Sequence, residues 1–146
     1  MKNLNKIILL LAFLLAGWSL AGQTIVGKWK TIDDETGKLK SIVEIYQKDG
    51  KYYGKVAQLF NRPADEPKDP PCVPCKDYRK NQKVIGMEII TDLQYDTKDK
   101  TYKNGKILDP EKGEVYTCKL WLDGENLKVR GYLGIFYRTQ TWQPVK

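Results

Sequence analysis

From residue 24 onward, the chain alternates short segments rich in Val, Ile, Tyr, Thr and Trp with turn-forming residues, and no stretch sustains the apolar spacing of an amphipathic helix. This pattern predicts an all-β fold. The predicted strands are 24–32, 41–48, 51–60, 84–91, 101–108, 114–122, 126–133 and 135–143. The dipeptides Asp49-Gly50 and Asp123-Gly124 favour tight hairpin turns. Eight strands joined mostly by short turns indicate an antiparallel up-and-down barrel, which leaves no sheet edge open.

Alternation along the strands predicts which side chains face the barrel interior. Trp29 is predicted to be interior because the flanking Lys28 and Lys30 point the other way. The same rule gives an interior set of Val43, Ile45, Tyr52, Val56, Ile85, Met87, Ile89, Tyr116, Cys118, Leu120 and Leu122. A barrel of eight strands is either filled by side chains or holds one small ligand, and the composition allows both.

If a ligand is held, the candidate cavity or mouth residues are Tyr52, Val56, Met87, Tyr116 and Arg130. The first four are apolar or amphipathic side chains of the predicted interior or its edge. Arg130, between Val129 and Gly131, either projects into the cavity as an anchor for an anionic group or faces solvent.

Residues 1–21 show the three zones of a secretory signal peptide: Lys2 and Lys6 in a basic start, an apolar run over 7–15, and small residues near Ala21. We predict cleavage after Ala21, with cleavage after Gly22 as the alternative, so that residues 22–146 form a single domain. The apolar run is too short for a comfortable bilayer span, and we expect no stable membrane insertion after cleavage. The expected location is the bacterial periplasm or the surrounding medium.

The chain contains no histidine. This excludes Ser-His-Asp and Cys-His nucleophile pairs, histidine metal sites and an imidazole general base. No acidic, Tyr or Lys pair has a spacing that singles it out for acid-base work, so we expect no enzyme, no metal and no cofactor. Removing Lys2 and Lys6 from the 25 basic residues leaves 23 against 18 acidic ones, a net charge of +5. Because these charges are interspersed, we expect no nucleic-acid partner.

One long irregular segment, residues 61–83, separates the third and fourth predicted strands and holds five of the seven prolines. A loop of this length is usually functional or disordered, and it is either a lid at the barrel mouth or a stiffened surface loop. It contains Cys72 and Cys75, which we expect to form a disulfide in an oxidising compartment, with a redox pair or half of a metal site as alternatives. Cys118 is expected to be a buried free thiol, unless it pairs with one of the other two.

The sequence Gly27-Lys28-Trp29 resembles the Gly-x-Trp motif that begins the first strand of lipocalin-like barrels. In those barrels the last strand supplies an arginine that packs on the tryptophan, so the resemblance makes Arg138 the candidate partner of Trp29. A cation over an indole face is worth roughly 0.5–2 kcal/mol.

A narrower resemblance covers residues 24–143 in order. The segments IVGKWKTIDDETGKLKSIVEIY, CVPCKDYRKNQKVIGMEI, NGKILDPEKGEVYTCKLWL and LKVRGYLGIFYRTQTW resemble the exported bacterial family catalogued as domain of unknown function 2147. The resemblance implies a signal peptide followed by a lipocalin-like barrel. It implies no activity and supplies no catalytic residues.

These observations lead to two expectations for function. The first is an exported, non-catalytic barrel that binds a small apolar or amphipathic ligand. The second is an envelope interaction or structural protein whose barrel is filled and holds no ligand. A lipocalin-like fold serves many unrelated tasks and does not choose between them.

Overall fold

The computed structural model describes residues 23–146, which form one closed antiparallel barrel in which the eight strands neighbour each other in sequence order. The strands are β1 (Gly27–Ile32), β2 (Leu39–Lys48), β3 (Lys51–Leu59), β4 (Glu88–Asp96), β5 (Thr101–Asp109), β6 (Glu114–Asp123), β7 (Asn126–Leu133) and β8 (Phe136–Pro144). The predicted all-β, eight-stranded up-and-down barrel is confirmed. The predicted signal peptide and its cleavage at Ala21 or Gly22 lie outside the described residues.

Seven strands lie close to their predicted positions, but the fourth does not. It was expected at 84–91 and runs instead from Glu88 to Asp96. The chain turns at Gly86, where φ is +87°, and the N–H of Ile85 donates to a carboxylate oxygen of Asp69. Ile85 therefore belongs to the preceding loop and is partly exposed, so its predicted interior position is wrong.

The two ends of the barrel differ in their loops. One end carries the tight turn at Asp49 and Gly50, both of which have positive φ, and two further short turns. This end is filled by the buried side chains of Ile45, Leu93, Tyr102, Leu120 and Leu127. The segment before β1 lies against it, since Ile25 is fully buried and its carbonyl oxygen accepts a 2.8 Å hydrogen bond from Trp29 Nε1.

The other end, which we call the mouth, carries the loops 33–38, 60–87, 110–113 and 134–135. The wall is least continuous here. In the described chain, β1 and β8 pair only at Trp29 with Pro144 and at Lys30 with Gln143. Both pairs involve the end of β8 that is farthest from the mouth loops. The part of β8 nearer the mouth is thus paired with β7 but not with β1.

The loop 60–87 contains the disulfide Cys72–Cys75, and both cysteines are buried. It is folded on itself by a bridge between Pro71 and Lys83 and packs beside the β5–β6 turn, where the Cys72 sulfur lies 3.4 Å from the carbonyl oxygen of Pro110. Cys118 is a free, buried thiol on β6. Among the described residues, no helix has the length and apolar character needed to cross a membrane.

Candidate functional site

A cavity of about 510 Å³ occupies the mouth half of the barrel. Its deep wall is apolar because the inward-facing positions of the strands carry hydrophobic side chains at this level. These side chains are Val43, Ile89, Ile107, Val129 and Trp142. Pockets of roughly 300–1,000 Å³ with mostly apolar walls are typical of small-molecule sites.

A glycine contributes to the size of this cavity. Gly131 lies on β7 at an inward-facing position, two residues after Val129, and it lines the cavity. A Cβ atom added at Gly131 would lie 3.5 Å from Cβ of Tyr116 and 3.8 Å from a methyl group of Ile107, which are ordinary contact distances. The absence of a side chain at Gly131 therefore leaves open space rather than relieving a collision.

Polar groups in the upper wall are paired with one another. The hydroxyl groups of Thr31 and Ser41, opposite each other on β1 and β2, lie 2.6 Å apart in a buried hydrogen bond. The side chain of Gln140 accepts a hydrogen bond from Trp142 Nε1 at 3.3 Å and donates one to Asp34 at 3.2 Å. In the described part of the chain, no buried side-chain nitrogen or oxygen lacks a hydrogen-bond partner.

Charged side chains surround the opening. Arg138 on β8 forms an ion pair with Asp34 of the loop 33–38, across the part of the wall where β8 and β1 are not paired. Lys40 and Glu111 form a second ion pair at 3.0 Å. The pKa of Asp33 is lowered, first by the hydrogen bond from the backbone N–H of Thr36, so the opening carries both signs of charge at neutral pH.

Of the five residues predicted to contact a ligand, only Tyr116 lines the cavity. Tyr52 packs edge-to-face on Tyr102, with ring centroids 4.8 Å apart, in the filled end of the barrel. Val56 is buried in the wall, and its N–H donates to the carbonyl oxygen of Met87. Met87 itself precedes β4 and is buried away from the cavity lining, so the three residues contribute to the core and not to the site.

Arg130 does not project into the cavity. It follows Val129 and precedes Gly131, which both face inward, so strand alternation turns its side chain to the outer surface. There its guanidinium lies between the rings of Trp121 and Tyr137, at 5.0 and 4.3 Å from their centroids. Arg138, opposite Gly131 on the neighbouring strand, is a cation that does line the cavity.

The predicted packing of Arg138 on Trp29 is wrong. Trp29 pairs with Pro144, six residues further along β8 than Arg138, a separation of about 20 Å on an extended strand. Trp29 is buried as predicted, at 6% exposure, but its partner is the Ile25 carbonyl. Arg138 is instead one of the polar groups at the cavity opening.

The long loop 60–87 is not a lid, since none of its residues lines the cavity. The lining residues at the opening come from the loops 33–38 and 110–113 and from the end of β7 and the start of β8. Sequence reasoning missed Gly131, Gln140 and Trp142. Extending the alternation from Trp142 along β8 would have placed Gln140 and Arg138 on the inner side.

The described residues contain no group of three or more Cys, Asp or Glu side chains placed to hold a metal ion. Cys118 is not an activated thiol, because burial raises its pKa to about 12. The short contact between Tyr46 and Glu88 lies outside the cavity, where burial and this hydrogen bond raise the pKa of the tyrosine.

Comparison with known proteins agrees with the barrel fold. A family model described as "Uncharacterized protein conserved in bacteria (DUF2147)" matches residues 27–144. The fold is similar to a solved structure described as protein HP1028 from Helicobacter pylori, belonging to the lipocalin family, with 20% sequence identity, 86% of this chain and 85% of that chain covered, and a TM-score of 0.70. None of the curated proteins matches the chain.

Proposed function

Given that the chain belongs to the DUF2147 family of bacterial proteins and has a lipocalin-like barrel, we propose that it is an exported, non-catalytic protein that binds one small amphipathic molecule. The proposal joins the signal sequence at residues 1–21 with the site at the barrel mouth.

The single observation that carries this proposal is the cavity of about 510 Å³, with an apolar deep wall, in a barrel whose other end is well packed. A barrel that serves only as a scaffold has no need of such a space, because filling it with side chains stabilises the fold through buried apolar area. Gly131 keeps the space open at an inward position where an added Cβ atom would make only ordinary contacts.

The arrangement of polar groups indicates an amphipathic rather than a wholly apolar ligand. Apolar groups form the deep wall, and Asp34, Arg138 and Gln140 lie together at the opening. A molecule whose apolar part enters the cavity would place its polar part among these three side chains. Arg138 is the group best suited to receive an acidic head, because its guanidinium offers several N–H donors.

The test is mass spectrometry of the exported protein, comparing native with denaturing conditions. A ligand appears as extra mass only under native conditions, and the Gly131→Leu variant, which fills the cavity, is expected to lose that mass. Thr117→Leu is the matched control, because it adds the same side chain at an exposed position of the neighbouring strand β6. The proposal fails if the parent carries no extra mass and also binds no fluorescent fatty acid, or if Gly131→Leu binds as well as the parent.

A further inference from the structure

The β7–β8 hairpin ends in an exposed apolar segment, residues 133–137, which we call the tip. Leu133, Ile135, Phe136 and Tyr137 are 64%, 89%, 73% and 61% exposed. Leu133 pairs with Phe136, so the turn between them is only Gly134 and Ile135, with φ of +60° at the glycine. A two-residue turn is too short to fold back over its own side chains, and hairpin turns usually carry polar residues. A contiguous exposed apolar patch of this kind marks a contact surface.

The outer surface of β6, β7 and β8 next to the tip is basic and aromatic. Residues 115–122 and 126–146 contain no Asp or Glu. We call this surface the basic face; its outward side chains include Lys119, Trp121, Arg130, Tyr132 and Tyr137. Arg130 is held between two aromatic rings, and within the described residues neither Arg130 nor Lys119 pairs with a carboxylate.

The tip and the basic face are continuous. The rings of Tyr132 and Tyr137, the next-to-last residue pair before the turn, lie 6.0 Å apart on the outer side of the hairpin. The nearest acidic loop contributes Asp34, which Arg138 neutralises, and Asp33, which accepts hydrogen bonds from N–H groups of its own loop. Glu35 remains exposed beside them.

From this arrangement we propose that the tip docks the protein on a membrane surface containing anionic lipids, with Leu133, Ile135 and Phe136 entering the interface and the basic face contacting the headgroups. Apolar and aromatic side chains flanked by cations are the combination that binds such surfaces, and the two contributions act together. Leu133, Phe136 and Tyr137 also line the cavity opening, so docking directs the mouth toward the bilayer. The docking itself does not depend on whether a ligand occupies the cavity.

The experiment measures binding of the protein to vesicles of three parts phosphatidylethanolamine and one part phosphatidylglycerol, with phosphatidylcholine vesicles for comparison. The tip variant is Ile135→Ser with Phe136→Ser. The matched control is Val73→Ser with Tyr78→Ser, which removes an exposed aliphatic and an exposed aromatic side chain from the loop 60–87; Tyr78 is 74% exposed, close to the value for Phe136. All variants keep the same N-terminus, so any contribution of residues 1–21 is common to them.

We expect the tip variant to bind the anionic vesicles at least roughly tenfold more weakly than the parent, because it loses two large apolar side chains from the interface. The control should bind as the parent does. A tryptophan introduced as Ile135→Trp should shift its emission to shorter wavelength when anionic vesicles are added. Circular dichroism and thermal unfolding establish that each variant is folded.

The basic face is tested by removing two charges at a time. Lys119→Gln with Arg130→Gln should weaken binding to anionic vesicles several-fold, whereas Lys98→Gln with Lys100→Gln, at the opposite end of the barrel, should not. Binding should also fall as salt is raised, because exposed charges are screened. The proposal is overturned if the parent does not bind the anionic vesicles, if the tip variant binds like the parent, or if the tip captures a protein partner while the vesicles are ignored.

Discussion

Arg138 and Asp34 form an ion pair across a part of the barrel wall that lacks strand pairing, between the mouth half of β8 and the end of β1. Gln140, the next inward residue of β8, donates to the same carboxylate. Side chains thus connect two neighbouring strands where backbone hydrogen bonds do not. Because Arg138 also lines the cavity, a ligand with an acidic head would compete with Asp34 for its guanidinium.

This relationship predicts opposite effects on ligand binding for its two members. Arg138→Gln should weaken the binding of a fluorescent fatty acid about fivefold, the equivalent of about 1 kcal/mol for a partly exposed charged contact, and Asp34→Asn should strengthen it by a similar factor. Titration of each variant with the acid and with the matching fatty alcohol gives the measurement, and the alcohol should respond little.

Arg130→Gln provides the control for that prediction. It removes the same charge from the outer surface, where the guanidinium lies between two aromatic rings, and should leave the affinity for the fatty acid unchanged. Equal weakening by Arg130→Gln and Arg138→Gln would contradict the assignment of Arg138 to the site.

The buried thiol of Cys118 predicts a pH dependence of stability. Its pKa is raised to about 12 by burial, whereas an unfolded thiol has a pKa of about 8.5, so the unfolded chain loses its proton first as the pH rises. The contribution of Cys118 is therefore complete below about pH 8.5 and declines as the pH rises toward 12. Urea unfolding between pH 7.5 and 10 should show a steeper loss of stability for the parent than for Cys118→Ala.

The burial of Cys118 also predicts how many thiols react in the native protein and in the denatured protein. With Cys72 and Cys75 joined, an aromatic disulfide reagent at pH 8 should find no thiol that reacts quickly in the native protein and one after denaturation without reductant. Three thiols in the denatured, unreduced protein would mean that the disulfide is absent.

The positions of most strands could be predicted because hairpin turns fix them locally. Asp49 and Gly50 adopt the positive φ that such a turn requires, and β2 and β3 on either side lie within two residues of their predicted bounds. The prediction of the fourth strand failed because this strand follows a long loop. The apolar run from Val84 to Ile90 looks like one continuous strand, although the chain turns within it at Gly86.

The site was harder to predict than the fold. Tyr116 follows from alternation within one strand, but the pairing of Arg138 with Asp34 depends on how the first and last strands meet when the barrel closes. That closure is not encoded in the spacing of either strand, so alternation along β8 can place Arg138 on the inner side but cannot identify Asp34 as its partner. The packing of loop 60–87 on the β5–β6 turn is likewise a long-range contact.

The burial of Trp29 predicts a large effect on stability. Trp29→Ala should lower the free energy of unfolding by about 3–5 kcal/mol, since it removes a buried indole and the hydrogen bond to the Ile25 carbonyl. Chemical denaturation gives the measurement. A double-mutant cycle with Arg138→Ala should be additive, because Trp29 pairs with Pro144, six residues along β8 from Arg138; a coupling of about 1 kcal/mol would instead indicate that the two side chains form the cation–π pair.

The close approach of Gly113, in the β5–β6 turn, to the disulfide loop leads to a prediction about how tightly the turn and the loop pack together. It has a φ of +67°, and a Cβ atom there would overlap the carbonyl group of Pro74, next to Cys75. Gly113→Ala should therefore incur both the roughly 1–2 kcal/mol of left-handed backbone strain and the displacement of the loop. Gly124→Ala is the control, because Gly124 has a φ of +59° but open space around it, and it should show the backbone strain alone. Urea unfolding of both variants separates the two contributions: a larger loss for Gly113→Ala means that the disulfide loop is held against the barrel at this turn, whereas equal losses would mean that the loop yields without resistance.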